Sequence, residues 1–268
     1  MNVIDLTDVQ WERNLTSYTS GGAYLKASIE TTNSKQYLKL SNYDDERGFI
    51  GFESVYEYLA SQLGKLLGFS VLGCELLKAR IIYNNREHTV FVQMTGDFLL
   101  PGTSKSVFER FYALEKHETE TRLAFLRRNG FSDRVDEMLV FDYLIYNRDR
   151  HCNNLEFIKN DQLLLAPLFD NGVSFFAPYA GRRADIEGFD VLSNNITNND
   201  FGTRFLEDNL AMVEGRTLDL RIPSEAELKK ALFSVFDGDE DFPDWHQMKA
   251  LELVKKRMSR AQEILNSR

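Results

Sequence analysis

From residue 52 to 69 the apolar positions Val55, Leu59, Leu63, Leu66 and Leu67 recur three or four residues apart. That is the spacing of one buried face of an α-helix, and Gly68 directly after it predicts the stop. Strand-like texture lies on either side. Residues 36–41 read as one strand after a turn at 31–35, and residues 17–29 place Gly21 and Gly22 between two β-type stretches. Two longer β-rich runs, 74–83 and 88–94, are separated by Asn84-Asn85-Arg86-Glu87, which predicts a hairpin. Residues 1–16 carry no pattern and are expected to form a short leading segment.

From residue 106 onward helices take over. Residues 106–115 and 118–128 are candidates, the second closed by Asn129-Gly130. Ser132 is expected to cap a strong helix with Val135, Met138, Leu139, Tyr143 and Leu144 on its apolar face. This helix empties into polar residues, and a short strand, a turn and a second short strand follow. Residues 173–203, rich in Gly, Asn, Ser and aromatics, predict a long loop with room for a short helix, and long ordered loops tend to be functional. In the tail Ser224 and Glu227 form a capping box ahead of Leu228, Ala231, Leu232 and Val235. Asp244 and Gln247 open a last helix with Met248, Leu251, Val254, Met258, Ala261 and Ile264 on one face. The reading is α+β: a β-rich unit with one helix over residues 1–96, and a mostly helical unit over residues 97–268, divided near Gly96.

Composition narrows the function. At 268 residues the chain fits one large domain or two small lobes and can bury a substantial core. A net charge of −9 disfavours direct nucleic-acid or anionic-membrane binding, because neutralising phosphates needs a basic surface. No apolar run approaches a membrane span, and Asp5, Asp8 and Glu12 make the first twenty residues unlike a signal peptide. Cys74 and Cys152 stand far apart, which suits a reducing cytoplasm rather than a disulfide framework. Four histidines and two cysteines without close spacing leave little room for structural zinc.

Candidate chemistry concentrates in residues 140–158 and 166–172. Asp149 precedes Asn154 by five residues, and Asp170 follows Asn154 by sixteen. Phosphoryl transfer needs this inventory: one carboxylate to orient the attacking hydroxyl, then an amide and a second carboxylate to hold Mg²⁺ against nucleotide phosphates. A β-hairpin between loop and second carboxylate would bring the three to one rim. Each fragment alone is also ordinary helix-end and turn chemistry. Asp142, on the helix before the loop, is expected to serve a helix-end salt bridge or hydrogen bond. Gly21 and Gly22 would let backbone N–H groups approach phosphates, with Lys26 adding positive charge. Lys39, flanked by Leu38 and Leu40, is a candidate phosphate-gripping lysine, and Glu53 and Glu57, one turn apart on the first helix, could each reach toward it. Arg182 and Arg183 could face an anionic group of a substrate.

The loop Asp149-Arg150-His151-Cys152-Asn153-Asn154, followed by Asp170-Asn171-Gly172, resembles the catalytic loop and metal-binding segment of the HipA-like kinases, including the shorter CtkA-type members. Its Asp-Arg-His wording is also similar to phosphatidylinositol 3-/4-kinases. Ser20-Gly21-Gly22-Ala23-Tyr24-Leu25-Lys26 resembles the family's glycine loop, with Tyr24 replacing a polar residue, and Glu57-Tyr58 with Gly68-Phe69 fits its helix pattern. The resemblance implies a bilobal protein-kinase-like fold, ATP and Mg²⁺ as cofactors, Asp149 as catalytic aspartate, and Asn154 and Asp170 as metal ligands. It implies that Ser20, Gly21, Gly22, Ala23 and Lys26 cradle the nucleotide, that Lys39 grips its phosphates, and that Glu57, ahead of Glu53, partners Lys39. Gln93, Met94 and Thr95 fall where main-chain atoms contact adenine. His151 is placed as a structural or charge-stabilising member of the loop rather than a proton carrier. Ser17, Thr19 and Ser20 are candidates for autophosphorylation.

The implied activity is transfer of the γ-phosphoryl group to Ser/Thr of a protein, as a toxin or effector. A small-molecule or lipid kinase, or a non-catalytic nucleotide-binding module, are the alternatives. No room is expected before the glycine loop for the additional N-terminal subdomain of full-length HipA toxins, which places the chain closer to the compact CtkA-type members; an antitoxin partner is compatible with the resemblance but not implied by it. Asp-Asn-Gly in place of Asp-Phe-Gly removes the flipping Phe of ordinary protein kinases.

Overall fold

A computed structural model of the chain describes residues 1–13, 24–30, 35–99, 102–215 and 220–267. Ser20, Gly21, Gly22 and Ala23, with Ser17 and Thr19, lie outside the described residues. The first part is built on a five-stranded sheet of β1 (Val3–Asp5), β2 (Lys26–Glu30), β3 (Lys35–Leu40), β6 (Glu75–Tyr83) and β7 (Arg86–Gly96), in the order β1-β6-β7-β3-β2. The pairs are antiparallel except for β1, which lies parallel to β6. The leading segment is thus more than a lead-in: it adds an edge strand and sends Trp11 into the sheet. A two-residue turn, Asn84 and Asn85 at φ 50° and 58°, closes the β6–β7 hairpin. Left-handed residues at both central positions match the strands' twist, and asparagine tolerates them.

Alternation sorts the sheet's two faces. Lys26, Lys39, Gln93 and Leu76 stand opposite one another across β2, β3, β7 and β6 and so share one face. Leu25, Ala27, Leu38, Leu40 and Val92 belong to the other, where they pack with Trp11 and Tyr43 as a separate apolar cluster. A small hairpin of β4 (Tyr43–Asp44) and β5 (Gly48–Phe49) leads into α1 (Glu53–Leu67). As its periodicity predicts, α1 buries Val55, Leu59 and Leu63, and Gly68 ends it at φ 75°, donating its N–H to Gly64 O and Lys65 O.

The second part departs from its sequence pattern in three places. The helix expected over 106–115 begins as a strand, β8 (Ser104–Val107), because these residues pair with β9 (Glu156–Lys159); α2 (Phe108–Glu115) follows. The next helix, α3 (Arg122–Arg128), starts later than residue 118, where the Thr121 hydroxyl accepts from Ala124 N. Ser132 is the first residue of α4 (Ser132–Ile145) rather than its cap, and Phe131 holds the cap position without a side-chain bond. β9 and β10 (Leu163–Leu165) form the expected hairpin. The short helix α5 (Arg183–Glu187) lies in the long polar region and α6 (Leu206–Leu210) just beyond it, and α7 (Glu225–Phe233) carries the full capping box of Ser224 and Glu227. The last helix, α8 (Asp244–Asn266), packs along α4.

β7 ends at Gly96, but α1 shares one core with the helices of the second half, including Met138, Leu139, Leu232 and Leu251. The C-terminal end of α4 is held by Arg257 of α8, buried against the rings of Tyr143 and Tyr146 at 4.8 and 4.3 Å and donating to Tyr143 O and Ser193 O. No helix among the described residues is long and apolar enough to cross a membrane.

Candidate active site

α4 is buried along most of its length, and Tyr146, left-handed at φ 54°, turns the chain into the polar loop. Asp142, a charge in an apolar helix, demands partners. Asn147 Nδ2 donates to its Oδ1 at 2.9 Å, and Asn147 Oδ1 accepts from Asp149 N at 3.0 Å. Arg150, 0% exposed, donates through Nε and Nη2 to both oxygens of Asp142 at 2.9 to 3.2 Å. The same guanidinium donates to Asn154 O at 3.2 Å, Phe169 O at 2.9 Å and Asn171 Oδ1 at 2.6 Å. One planar cation therefore ties the loop to the Asp-Asn-Gly segment.

The loop is stitched on its other flank to residues 198–200. Asn198 N donates to Arg148 O at 2.8 Å, Asp200 N to Arg150 O at 3.1 Å, and Cys152 N to Asp200 Oδ2 at 2.8 Å. Burial, with Asp200 alongside, pushes the Cys152 thiol up to about 12, so it is not a thiolate nucleophile. Asp149 presents its carboxylate at the rim: Oδ1 accepts from Asn198 Nδ2 at 2.6 Å, and His151 Nε2 lies 3.7 Å from Oδ2. His151 Nδ1 accepts from Asn153 N at 3.2 Å, which leaves Nε2 as the protonated nitrogen of the neutral ring.

Asn154 is 1% exposed; its Nδ2 donates to Asp149 O at 2.8 Å, while its Oδ1 has no hydrogen-bond partner. Asp170 sits in the left-handed region at φ 56°, an uncommon conformation for a residue with a Cβ. Its carboxylate forms an ion pair with Lys39 from β3, joining sheet to loop. Burial opposes charge on both, but each outweighs it for the other: the Lys39 ammonium is raised above, and the Asp170 carboxyl held below, its ordinary value. Gly172 completes the segment, and a Cβ there would meet Glu53 O at 3.0 Å, so the backbones of the loop and α1 approach closely.

The expected ion pair of Lys39 with Glu57 is not the direct one, because Asp170 takes that place. Glu57 instead accepts from Asn171 Nδ2 at 3.2 Å and acts on Lys39 through its field; its other oxygen has no partner. Burial pushes the Glu57 carboxyl up to about 7 against the pull of Lys39. Glu53 accepts from Asn42 N at 3.1 Å, and burial raises it. Lys26 stands beside Lys39 in the cross-strand row; burial and that neighbour lower its ammonium. The Tyr24 ring lies 5.0 Å from Lys39 Nζ, and burial, with the carboxylates of Glu53, Asp170 and Asp149, raises its phenol.

Between sheet and helical part lies a cleft of about 160 Å³ whose wall includes Lys39, Glu57, Gln93, Thr95, Glu156 and Asp170. Main-chain contacts to a base are not open at Gln93 and Met94, which pair with β6 on one side and β3 on the other. The Met94 side chain packs on the sheet's far face. Thr95 pairs only with β3, and Gly96, Asp97, Phe98 and Leu99 continue along the cleft. Arg182 and Arg183 are paired beside their own helix, with Asp185 at 2.7 Å and Glu187 at 2.9 Å, and do not line the cleft.

No cluster of three His, Cys, Asp or Glu residues among those described forms a metal cage. Magnesium does not need one: it takes one or two protein oxygens together with phosphate and water oxygens. The buried, unpartnered Asn154 Oδ1 and the Asp170 carboxylate are hard oxygen donors of that kind. Asn198 and Glu156 carry no signal in a motif reading, and Arg150 and Asn171 lie inside the two motifs without a role of their own there. For Arg150 a signal existed, since Asp142 amid the apolar residues of α4 requires a buried cation.

No protein-family model and no curated protein matches the chain. Among solved structures it is similar to the Helicobacter pylori proinflammatory kinase CtkA, at 17% identity over 99% of this chain and 98% of that one, with a TM-score of 0.66. A chain of the Shewanella oneidensis MR-1 toxin–antitoxin complex of HipA, HipB and operator DNA is matched at 13% identity over 91% of this chain and 66% of that one, TM-score 0.45. The likeness to CtkA, running over nearly all of both chains, shows that this chain has the HipA-like kinase fold, a β-sheet lobe facing a helical part.

Proposed function

We propose that the chain is an ATP- and Mg²⁺-dependent kinase that phosphorylates serine or threonine of a protein, itself included. The observation that carries this reading is the Lys39–Asp170 ion pair across the cleft, with the unpartnered Asn154 Oδ1 on the loop tied to it. Lys39 is the cation for the α- and β-phosphates, and it exchanges Asp170 for them when nucleotide enters. Glu57 and Asn171 keep a second carboxylate near that ammonium. Asn154 and Asp170 are the residues that would hold Mg²⁺, which when bound neutralises charge on the phosphate oxygens. Asp149, oriented by Asn198 and His151, accepts the proton of the acceptor hydroxyl and aims its oxygen. The base would lie along Thr95 to Leu99, where β7 leaves the sheet.

The test is incubation of purified protein with γ-labelled ATP and Mg²⁺, alone and with cell lysate, followed by phosphoamino-acid analysis. Label on serine or threonine in the protein or a lysate band, lost in Asp149→Asn and Asp170→Asn variants of unchanged fold, supports the reading. Label that persists in either variant removes the assigned role, and label only on small molecules removes the protein acceptor.

A further inference from the structure

Glu156 opens β9 two residues after Asn154 and is 1% exposed, yet its side chain borders the cleft. One carboxylate oxygen lies 3.5 Å from Lys105 Nζ, and the other has no hydrogen-bond partner. A carboxylate oxygen shut away from water without a donor is costly, and an N–H brought by a molecule in the cleft relieves the cost. The surroundings say which part of a nucleotide that is. Lys39 and Asp170 mark the phosphate end, and Gln93 stands directly across from Lys39. Thr95 and Gly96 are two and three residues farther along β7, roughly 7–10 Å away at about 3.3 Å per residue. Phe98 follows them, with Lys105 Nζ 5.9 Å from its ring centre. The Phe98 and Phe169 rings, inclined by only 25°, give this end flat apolar walls. Glu156 and Lys105 thus form an acceptor and a donor side by side next to surfaces suited to stacking a planar base.

We infer that Glu156 reads the nucleobase: its free oxygen accepts an N–H of the 6-amino group of adenine, and Lys105 donates to the neighbouring ring nitrogen. The inference rests on the proposed nucleotide site but concerns binding, not transfer. Its test is calorimetric titration of the full chain with ADP, with purine riboside 5′-diphosphate, which lacks only the 6-amino group, and with tripolyphosphate. The wild-type protein is expected to bind ADP about tenfold tighter than the deaminated analogue, the value of one hydrogen bond of ~1.4 kcal/mol. In Glu156→Leu the two diphosphates should bind alike, in Glu156→Gln part of the preference should survive, and tripolyphosphate affinity should stay unchanged in both. Equal binding of the two diphosphates by the wild type, or a preference that survives in Glu156→Leu, overturns the assignment. So does a parallel loss of tripolyphosphate binding, which would mean that Glu156 only supports the fold. Base discrimination without phosphoryl transfer would sink the kinase reading and leave Glu156 its role. Transfer without discrimination would do the reverse, and absence of ADP binding would sink both.

Discussion

Replacing Arg150 by methionine separates what its guanidinium does for stability from what it does for the site. The side chain is fully buried and lies against Asp142, itself 1% exposed. Arg150→Met leaves that carboxylate with the Asn147 amide but no cation. Removing one partner of a buried ion pair costs about 3–5 kcal/mol, because the remaining charge stays desolvated. Against a total stability of roughly 5–15 kcal/mol the variant should still fold. At about 2 °C per kcal/mol for a chain of this size, its melting temperature should fall by roughly 6–10 °C. Adding Asp142→Asn removes the stranded charge and keeps an acceptor for Asn147, so the double variant should regain more than half of the loss. Activity should not follow, because Asn154 O, Phe169 O and Asn171 Oδ1 still lack the donor that holds the two halves of the site together. Scanning calorimetry and γ-phosphate transfer, measured on the same three proteins, make the comparison. A shift under about 2 °C in Arg150→Met refutes the stability argument. Activity that returns with stability in the double variant refutes the positioning role.

Asn198→Ala should lower kcat about tenfold, the worth of one exposed hydrogen bond to a carboxylate, with the KM for ATP unchanged; a change confined to KM counts against its bond to Asp149. Lys39→Met should weaken ADP and tripolyphosphate binding in parallel, since the lysine acts at the phosphate end, and a loss confined to ADP would contradict that placement. Burial lowers His246 to about 3, so its contribution to stability is present above pH 6.5 and fades toward pH 3, while Glu57, pushed up to about 7, contributes fully below pH 4.5 and loses its contribution as pH rises to about 7. Between pH 4.5 and 6.5 the two oppose, so urea midpoints should fall with rising pH in His246→Gln and climb with rising pH in Glu57→Gln, and slopes unchanged from wild type in both would refute the linkage.

The elements legible in the sequence were those whose determinants are local. The stripe of α1 and the left-handed glycine after it lie within one helix, the Asn84-Asn85 turn within four residues, and the Ser224–Glu227 box within one turn. Ser106 and Val107 read as the start of a helix because they are strand only by virtue of β9, about fifty residues later. The partners of Arg150 are spread over Asp142, Asn154, Phe169 and Asn171, and no spacing rule gathers them. Lys39 looked toward Glu57 because a motif supplies that pair; Asp170 reaches it instead through the β9–β10 hairpin and a left-handed backbone.

A deeper limit shows in Lys39 and Glu156. Leu38-Lys39-Leu40 and Leu155-Glu156-Phe157 both alternate, and alternation says only that the charged residue turns away from the apolar core. It cannot say whether that side meets water or a second layer of protein. In β3 the polar face, with Lys26, Lys39 and Gln93 in one row, is roofed by the loop carrying Asp170, and in β9 the outward carboxylate borders the same cleft. The alternation that on an isolated sheet would mark solvated lysines and glutamates here marks the two ends of a candidate nucleotide site. What distinguishes the two cases is desolvation without full pairing: among the described residues the unpartnered buried amide and carboxylate oxygens, those of Asn154, Glu57, Gln93 and Glu156, belong to residues in or beside this cleft, whereas Tyr143 Oη and several ring and guanidinium nitrogens go unpartnered elsewhere. Buried acceptors without a donor are costly, and the gathering of four of them around one cleft, beside the Lys39–Asp170 pair, is the physical ground for placing the chemistry here.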